Sequence, residues 1–281
     1  MVSTLTRRPS FQGAHSRSGT LKAIRAILGA GGVDYAIIPV GDAKYENAAH
    51  TTVTTIGRGG GDGLVFTYSE ARTAFDKATK HLRNQIGLPL IPLNGSDEEG
   101  DTPSTAFWSR GDDSNDFPFS IGAWVKLTDA TASCILSKYE TTGGQREWLL
   151  EFGSDDKLVF TSLDQSVVHT AVRKADVATL EGVWVFVVFT YDGAGGASAA
   201  DSMTLYQDGA LWASTAVTGG NYLAMENGTA IVDLGKRDGA SNVNMFDGKM
   251  AGGPIGPFFT HQELTASQVA KLHSIGKTAQ G

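Results

Sequence analysis

The spacing of apolar residues changes along the chain and divides it into stretches of different structure. Near the start, three apolar residues recur at helical spacing: Leu21, Ile24 and Leu28. A longer apolar stripe predicts a second helix over residues 70–86. From residue 88 onward, the helical period gives way to short apolar runs separated by Gly, Asp and Asn, a pattern typical of strands and turns. We therefore predict a domain boundary near Gly87.

Short strands are predicted on both sides of that boundary. Three precede it, at 33–40, 50–56 and 64–68. After it, residues 119–127 alternate between apolar and polar, and Asp208-Gly209 lies between two apolar runs as in a hairpin. These patterns predict a mainly β protein with two antiparallel sheets packed as a sandwich. Three parts are expected: an arm at 1–32, a small α+β docking region at 33–87 and the sandwich at 88–281.

Composition narrows the possible classes. The chain has 281 residues, of which 35 are Gly, which suits a turn-rich β architecture. The single Cys134 excludes an intramolecular disulfide and a multi-cysteine zinc site. No secretory apolar segment follows the first residues, and no apolar run is long enough to span a membrane. We expect synthesis in the host cytoplasm and no membrane partner.

Charge is distributed unevenly along the chain. The formal net charge is -7, so general nucleic-acid binding is not expected. Through Val33, however, five basic residues occur without an acid: Arg7, Arg8, Arg17, Lys22 and Arg25. This basic arm either docks onto a negatively charged partner or is a solvated tail. If it docks, the candidate contacts are Arg7, Arg8, Arg17, Leu21, Ile24, Arg25 and Leu28.

Ten short motifs follow one another in an order that is similar to a known family. They are PLNGSDEE at 92–99, FSIGAWVK at 119–126, ILSK at 135–138, EWLLEF at 147–152, KLVF at 157–160, WVFVVFTYDG at 184–193, LYQDG at 205–209, VDLGKRDG at 232–239, MFDGKMAG at 245–252 and LTASQVAKL at 264–272. Together they resemble the laminin-G-like, or concanavalin A-like lectin/glucanase, jelly-roll family. The resemblance covers residues 88–276 and implies the same two-sheet sandwich.

The resemblance also implies where an enzyme of this fold would carry its acids. Glycoside hydrolases of this kind have closely spaced acids on one strand, because retaining hydrolysis needs two carboxylates about 5 Å apart. Here Glu147 and Glu151 are four residues apart and no third acid lies between them. No G-x-S-x-G motif is present either. We therefore predict no catalytic residues and a non-enzymatic protein.

Calcium is the cofactor that the resemblance implies. Candidate ligands are the carboxylates of Asp112, Asp113 and Asp116, which lie close together in one loop. The family, however, commonly has a pair of acidic residues at the position where this chain has Ala-Gly-Gly, residues 251–253. We expect no metal or other cofactor, with calcium as the alternative.

A sugar site on this fold needs exposed aromatic rings that stack on a pyranose. The candidates are Trp108, Tyr139, Trp148 and Tyr222. Core packing is the alternative explanation for each of them, because most aromatic residues of the chain lie at strand positions.

Three functions remain open. The first is a structural or decoration protein of a viral (phage) particle, docked through its N-terminal region to capsid or tail proteins and forming a homo-oligomer. The second is a carbohydrate-binding module or adhesin that binds a surface glycan, and the third is a glycan-cleaving enzyme. We favour the first, because such sandwiches resemble accessory domains of phage virion proteins and because a virion component needs no secretion signal.

Overall fold

A computed structural model describes residues 17–42, 44–69, 89–177, 180–237 and 243–280. The helix predicted at 70–86 lies outside these residues, as do Arg7 and Arg8. Within the described ranges, no helix is long and apolar enough to cross a membrane.

Eighteen strands and two α-helices lie within the described residues. The helices are α1 (Arg17–Leu28) and α2 (Ala266–Gln280). The strands are β1 (Tyr35–Ile37), β2 (Thr52–Thr54), β3 (Ile56–Arg58), β4 (Val65–Tyr68), β5 (Leu90–Asn94), β6 (Gly100–Thr102), β7 (Phe119–Leu127), β8 (Ser133–Glu140), β9 (Gln145–Phe152), β10 (Lys157–Asp164), β11 (His169–Asp176), β12 (Trp184–Tyr191), β13 (Met203–Gln207), β14 (Ala210–Leu211), β15 (Thr215–Thr218), β16 (Val232–Leu234), β17 (Asp247–Ala251) and β18 (Phe258–Thr260).

The strands form two antiparallel sheets, which confirms the predicted sandwich. The first sheet has the order β14-β13-β12-β7-β18-β1-β3, and β17 joins it by pairing with both β7 and β5. The second sheet has the order β15-β11-β10-β9-β8-β16-β6-β4-β2. Side chains that point inward from both sheets form the main core, for example Phe119, Phe160 and Phe189. The rings of Phe160 and Phe189 are stacked with their centroids 3.4 Å apart, so the two sheets are in direct contact.

Two local predictions are confirmed in detail. Asp208 and Gly209 both have positive φ, at 49° and 81°, as a two-residue hairpin between β13 and β14 requires. At the start of α2, the Thr265 amide donates to Oε1 of Gln268, and the Gln268 amide donates to Oγ1 of Thr265 at 3.3 Å. This reciprocal capping fixes the beginning of the helix.

Both described helices pack on the outer face of the first sheet. Ile24 and Leu28 of α1 and Leu272 of α2 lie in one apolar cluster with Trp124 and Phe186 of the sheet. At the end of α1, the Thr260 hydroxyl donates to the Leu28 carbonyl at 2.7 Å. The first sheet is therefore covered on both faces, which explains why β12 is apolar throughout.

The apolar stripe predicted to dock onto a partner instead packs against this chain. Ile24 and Leu28 are buried in the cluster under α1, and Leu21 is half-buried against it. Arg25 is exposed on the opposite side of the helix, and Arg17 is its first residue. The docking prediction for Leu21, Ile24 and Leu28 is thus corrected: a stripe too short to be stable alone is buried on its own sandwich.

The predicted boundary near Gly87 does not separate two units. Strand β1 lies between β18 and β3 in the first sheet, so residues 35–37 pair with residues 258–260. In the second sheet, β4 pairs with both β2 and β6. The strands predicted before the boundary exist, but they complete both sheets of the sandwich and do not form a separate docking region. Local patterns cannot show pairing between residues more than 200 positions apart.

Candidate functional site

The outer face of the second sheet carries a row of outward side chains from three adjacent strands. Val159 of β10 lies directly opposite Glu151 of β9 and Lys174 of β11. The neighbours of Val159 along the strand, Leu158 and Phe160, are in the main core. Since side chains alternate along a strand, Glu151, Val159 and Lys174 point away from the core and lie side by side.

These residues line a groove of about 450 Å³. Its lining combines hydroxyl groups, valine side chains and charged groups: Glu151, Gly153, Ser154, Asp155, Val159, Thr161, Thr170, Val172, Lys174, Arg237 and Asn244. The strands supply the floor, and the β9–β10 turn with residues 237 and 244 supplies the walls. A floor of this kind offers both apolar contact and hydrogen bonds to a ligand.

Two pairs of opposite charges face each other across the groove. On one side, the Glu151 carboxylate accepts a hydrogen bond from Asn244 Nδ2 at 2.6 Å and lies 3.8 Å from an Arg237 guanidinium nitrogen. On the other side, Lys174 Nζ lies 3.7 Å from a carboxylate oxygen of Asp155. Burial raises the pKa of Glu151, and the Asn244 hydrogen bond and the Arg237 charge oppose that rise. The four formal charges cancel, so the groove is polar and has no net charge.

Arg237 is held in place by an aromatic ring. Its guanidinium lies 5.3 Å from the centre of the Tyr139 ring, and the Arg146 guanidinium lies 6.0 Å from the same ring. Tyr139 forms a small apolar cluster with Leu149 and Leu163 and is only 7% exposed. Tyr139 therefore does not line the groove itself, but its ring holds the Arg237 guanidinium in place in the groove wall.

The four aromatic residues predicted to bind sugar are all buried, which corrects that prediction. Trp108 and Trp148 are fully buried, and the Trp148 indole donates to the Trp108 carbonyl at 2.9 Å. Tyr222 is 2% exposed, and its hydroxyl donates to the Asp116 carboxylate. None of the four presents a ring face to solvent. The alternative weighed for them, core packing, is what the structure supports.

The three candidate calcium ligands have separate structural roles. Asp116 is buried and accepts hydrogen bonds from the Tyr191 and Tyr222 hydroxyls and from the Met225 amide. Asp112 caps its own turn by accepting from the amide of Asn115 at 2.7 Å. Asp113 accepts from the backbone amide of Asn227 at 3.3 Å. Within the ranges that the structure describes, no three acidic, histidine or cysteine side chains are placed to hold a metal ion.

Glu147 is separated from the groove by a bulge in the β8–β9 pairing. Lys138 pairs with Trp148 and Tyr139 pairs with Arg146, so Glu147 has no partner residue on β8. Its carboxylate is fully buried, forms an ion pair with the Lys138 ammonium and accepts from the Gly228 amide at 2.7 Å. Burial raises the pKa of Glu147 to about 7. Glu147 therefore cannot act together with Glu151 on a ligand in the groove.

The groove itself was not predicted from the sequence, where Glu151 was weighed only as an acid paired with Glu147. The local pattern marks Glu151 and Val159 as outward, because each lies between two apolar residues of its strand, but it does not place Lys174, which follows Arg173. The strand order β11-β10-β9 brings these residues together, and local sequence patterns do not show which strands are neighbours in a sheet.

A family model matches this sequence over residues 99–253, and its description is the concanavalin A-like lectin/glucanases superfamily. The match runs from β6 to β17 and includes the strands that form the groove floor. Among curated proteins, none matches the sequence.

Several solved structures align with this chain. The binding domain of botulinum neurotoxin serotype G aligns with a TM-score of 0.49 and 14% identity, covering 81% of this chain and 51% of that one, so this chain spans about half of it. A second aligned structure is domain 4 of AbnA, a GH43 extracellular arabinanase from Geobacillus stearothermophilus, in complex with arabinotriose. Its TM-score is 0.45 and its sequence identity 17%, and the alignment covers 76% of this chain and 84% of that one. A third is the Ruminococcus gnavus IT-sialidase CBM40 bound to alpha2,3 sialyllactose. Its TM-score is 0.42 and its sequence identity 14%, and the alignment covers 59% of this chain and 84% of that one.

Proposed function

Because the chain belongs to the concanavalin A-like lectin/glucanase superfamily, we propose that its groove binds a carbohydrate without cleaving it. One observation carries this proposal: Glu151, Lys174, Arg237 and Asn244 converge on a groove floored by valine and threonine side chains. Carboxylate, amide and cationic groups hydrogen-bond to sugar hydroxyls, and valine methyl groups contact the apolar face of a pyranose.

The surroundings of the carboxylates support binding rather than hydrolysis. Glycoside hydrolysis uses a pair of carboxyl groups that flank the scissile bond. Glu147, the acid nearest to Glu151 along the strand, is buried against Lys138 on the far side of the bulge. Within the groove, Glu151 is hydrogen-bonded to Asn244, and Asp155 is paired with Lys174.

Binding is tested on a glycan array with the full chain, followed by calorimetric titration of the best glycan. Lys174→Ala should weaken binding about tenfold or more, because a hydrogen bond to a charged group contributes about 1.5–3 kcal/mol. Lys157→Ala is the matched control: Lys157 lies on the neighbouring strand and is also paired with an aspartate, Asp176, but it does not line the groove. Equal binding by the two variants would refute the groove as the site.

Hydrolysis is tested with the same glycan. We expect no release of reducing ends over prolonged incubation. Release that Glu151→Gln abolishes would show that the protein is an enzyme and would contradict the proposal.

A second candidate function is display of this module on a viral particle. Its support is the charge asymmetry of the chain, since the five basic residues through Val33 precede an acidic remainder. With the α1 stripe buried on its own sandwich, the basic residues Arg7, Arg8, Arg17 and Arg25 remain the candidate contacts. The test is purification of particles from infected cells: the chain should copurify at a fixed stoichiometry, and its absence from particles would reject this role.

A further inference from the structure

Four loops meet at one end of the sandwich, where β7 begins and β12 ends, and we name this region the loop end. The two strands are paired there, with Tyr191 opposite Phe119. The loops are residues 111–118, 164–169, 192–196 and 221–226. They connect strands of both sheets, so the loop end closes the sandwich on this side.

Two buried carboxylates tie these loops together. Asp116 accepts hydrogen bonds from the Tyr191 hydroxyl at 2.6 Å, the Tyr222 hydroxyl at 2.7 Å and the Met225 amide at 2.7 Å. Asp164 accepts from the Leu223 amide and from the Ser166 hydroxyl, both at 3.0 Å. The loop end is thus held in one conformation before any partner arrives, which lowers the entropic cost of binding.

The loop end presents apolar side chains to solvent. Phe117 is 37% exposed, Val167 47%, Leu223 53% and Val168 56%. Val168 also has φ of 56°, a left-handed conformation that is unfavourable for a β-branched residue. Strained backbone and exposed apolar side chains on rigid loops are typical of an interaction surface.

The charged residues of the same loops are acidic. Asp112, Asp113 and Asp192 are exposed, and Glu226 is half-buried. None of the four loops contains Lys or Arg. Carboxylates on the same loops as exposed apolar side chains favour a partner that is both apolar and basic, and they disfavour anionic lipid or nucleic acid.

The described chain begins at α1, and the start of this helix lies away from the loop end. Helix α1 ends next to Thr260, which pairs with Ser120 near the start of β7 and therefore lies toward the loop end. Its other end, at Ser18, lies beside Ile56, which is level with Gly122 about midway along the first sheet. The 12-residue helix is about 18 Å long, so residues 1–16 join the described structure at a distance from the loop end.

We propose that the loop end of one copy binds residues 1–16 of a second copy, so that copies of this chain associate head to tail. The arm carries Arg7 and Arg8 without an acid and contains Leu5 and Phe11, which matches the acidic and apolar character of the loop end. The contact joins two different surfaces, so association continues into a ring or a filament unless two copies exchange arms reciprocally and close as a dimer. This inference does not depend on carbohydrate binding in the groove.

The test is sedimentation velocity of the purified full chain over a range of concentrations at low and high salt. We expect assemblies that grow with concentration and dissociate at high salt, because the contact includes exposed charges. Arg7→Glu with Arg8→Glu should weaken association about tenfold. Leu223→Ser should also weaken it, whereas the matched control Leu211→Ser should not, since Leu211 is 71% exposed but lies in the β13–β14 hairpin.

A synthetic peptide of residues 1–16 provides an independent measurement. It should bind the full-length Arg7→Glu, Arg8→Glu variant, and Leu223→Ser introduced into that variant should abolish the binding. Circular dichroism melts show that each variant is folded. A monomeric wild-type chain at every concentration and salt, or equal effects of the two leucine substitutions, would overturn the proposal. Because the pure chain is used, failure here is distinguishable from failure to copurify with particles.

Discussion

The buried pair of Lys138 and Glu147 provides the sharpest test of how the β8–β9 bulge is stabilised. Both side chains are shielded from solvent: that of Lys138 is 0% exposed and that of Glu147 is 1% exposed. The Glu147 carboxylate also accepts from the Gly228 amide and from the Ser109 hydroxyl at 3.2 Å. Removing one partner leaves the other charge buried without its counter-charge.

The expected magnitude follows from that burial. Lys138→Met or Glu147→Gln alone should lower the free energy of unfolding by about 3–5 kcal/mol. This is a large share of the roughly 5–15 kcal/mol that stabilises a typical domain. The double variant removes both charges, so it should cost less than the sum of the single variants, with a coupling of about 1–3 kcal/mol.

Urea denaturation of the four proteins forms a double-mutant cycle. The midpoint and the slope are fitted together, so that a change in the compactness of the unfolded state is separated from a change in stability. Single variants that cost less than about 1 kcal/mol, or strictly additive costs, would refute the reasoning and show that the pair is not coupled.

Three further predictions concern other parts of the fold. Burial raises the pKa of Asp233 to about 7, so the folded protein binds a proton below that pH that the unfolded chain releases above about 4. Stability should therefore fall as pH rises from about 4 to 7, and Asp233→Asn should flatten this pH dependence in thermal melts. Ile24→Ala should cost about 2–5 kcal/mol in urea denaturation, because Ile24 packs on its own sandwich, and a neutral effect would contradict that packing. Asp116→Asn should lower the melting temperature equally with calcium and with chelator, and a difference would show that Asp116 holds calcium.

Sequence patterns predict the structure correctly where it depends on residues close together along the chain. The hairpin at Asp208-Gly209 follows from two residues that tolerate positive φ, and the start of α2 follows from the capping pair Thr265 and Gln268. Each feature is determined by residues within a few positions of one another.

The same patterns failed where pairing joins distant parts of the chain. The sequence predicts the strand at 35–37, but it does not predict that this strand pairs with residues 258–260. A strand of the sandwich was therefore assigned to a separate region. Trp148 was predicted as a sugar contact, but residues distant in the sequence bury it: its ring lies 5.3 Å from that of Phe259. The β8–β9 bulge likewise changes the position of Glu147 without any sign in the local pattern.

The distribution of covered and exposed faces determines where this protein can bind a ligand. Helices α1 and α2 cover the outer face of the first sheet, and the main core covers its inner face. The outward positions on β9, β10 and β11 that line the groove carry polar and valine side chains, which is the composition expected of a surface in contact with water and a hydroxyl-rich ligand. The loop end is separate from that face and has a different chemistry, being apolar and acidic. The proposed carbohydrate site and the proposed contact between copies therefore use different surfaces, the sheet face and the loops, which meet at Thr170 beside the 164–169 loop.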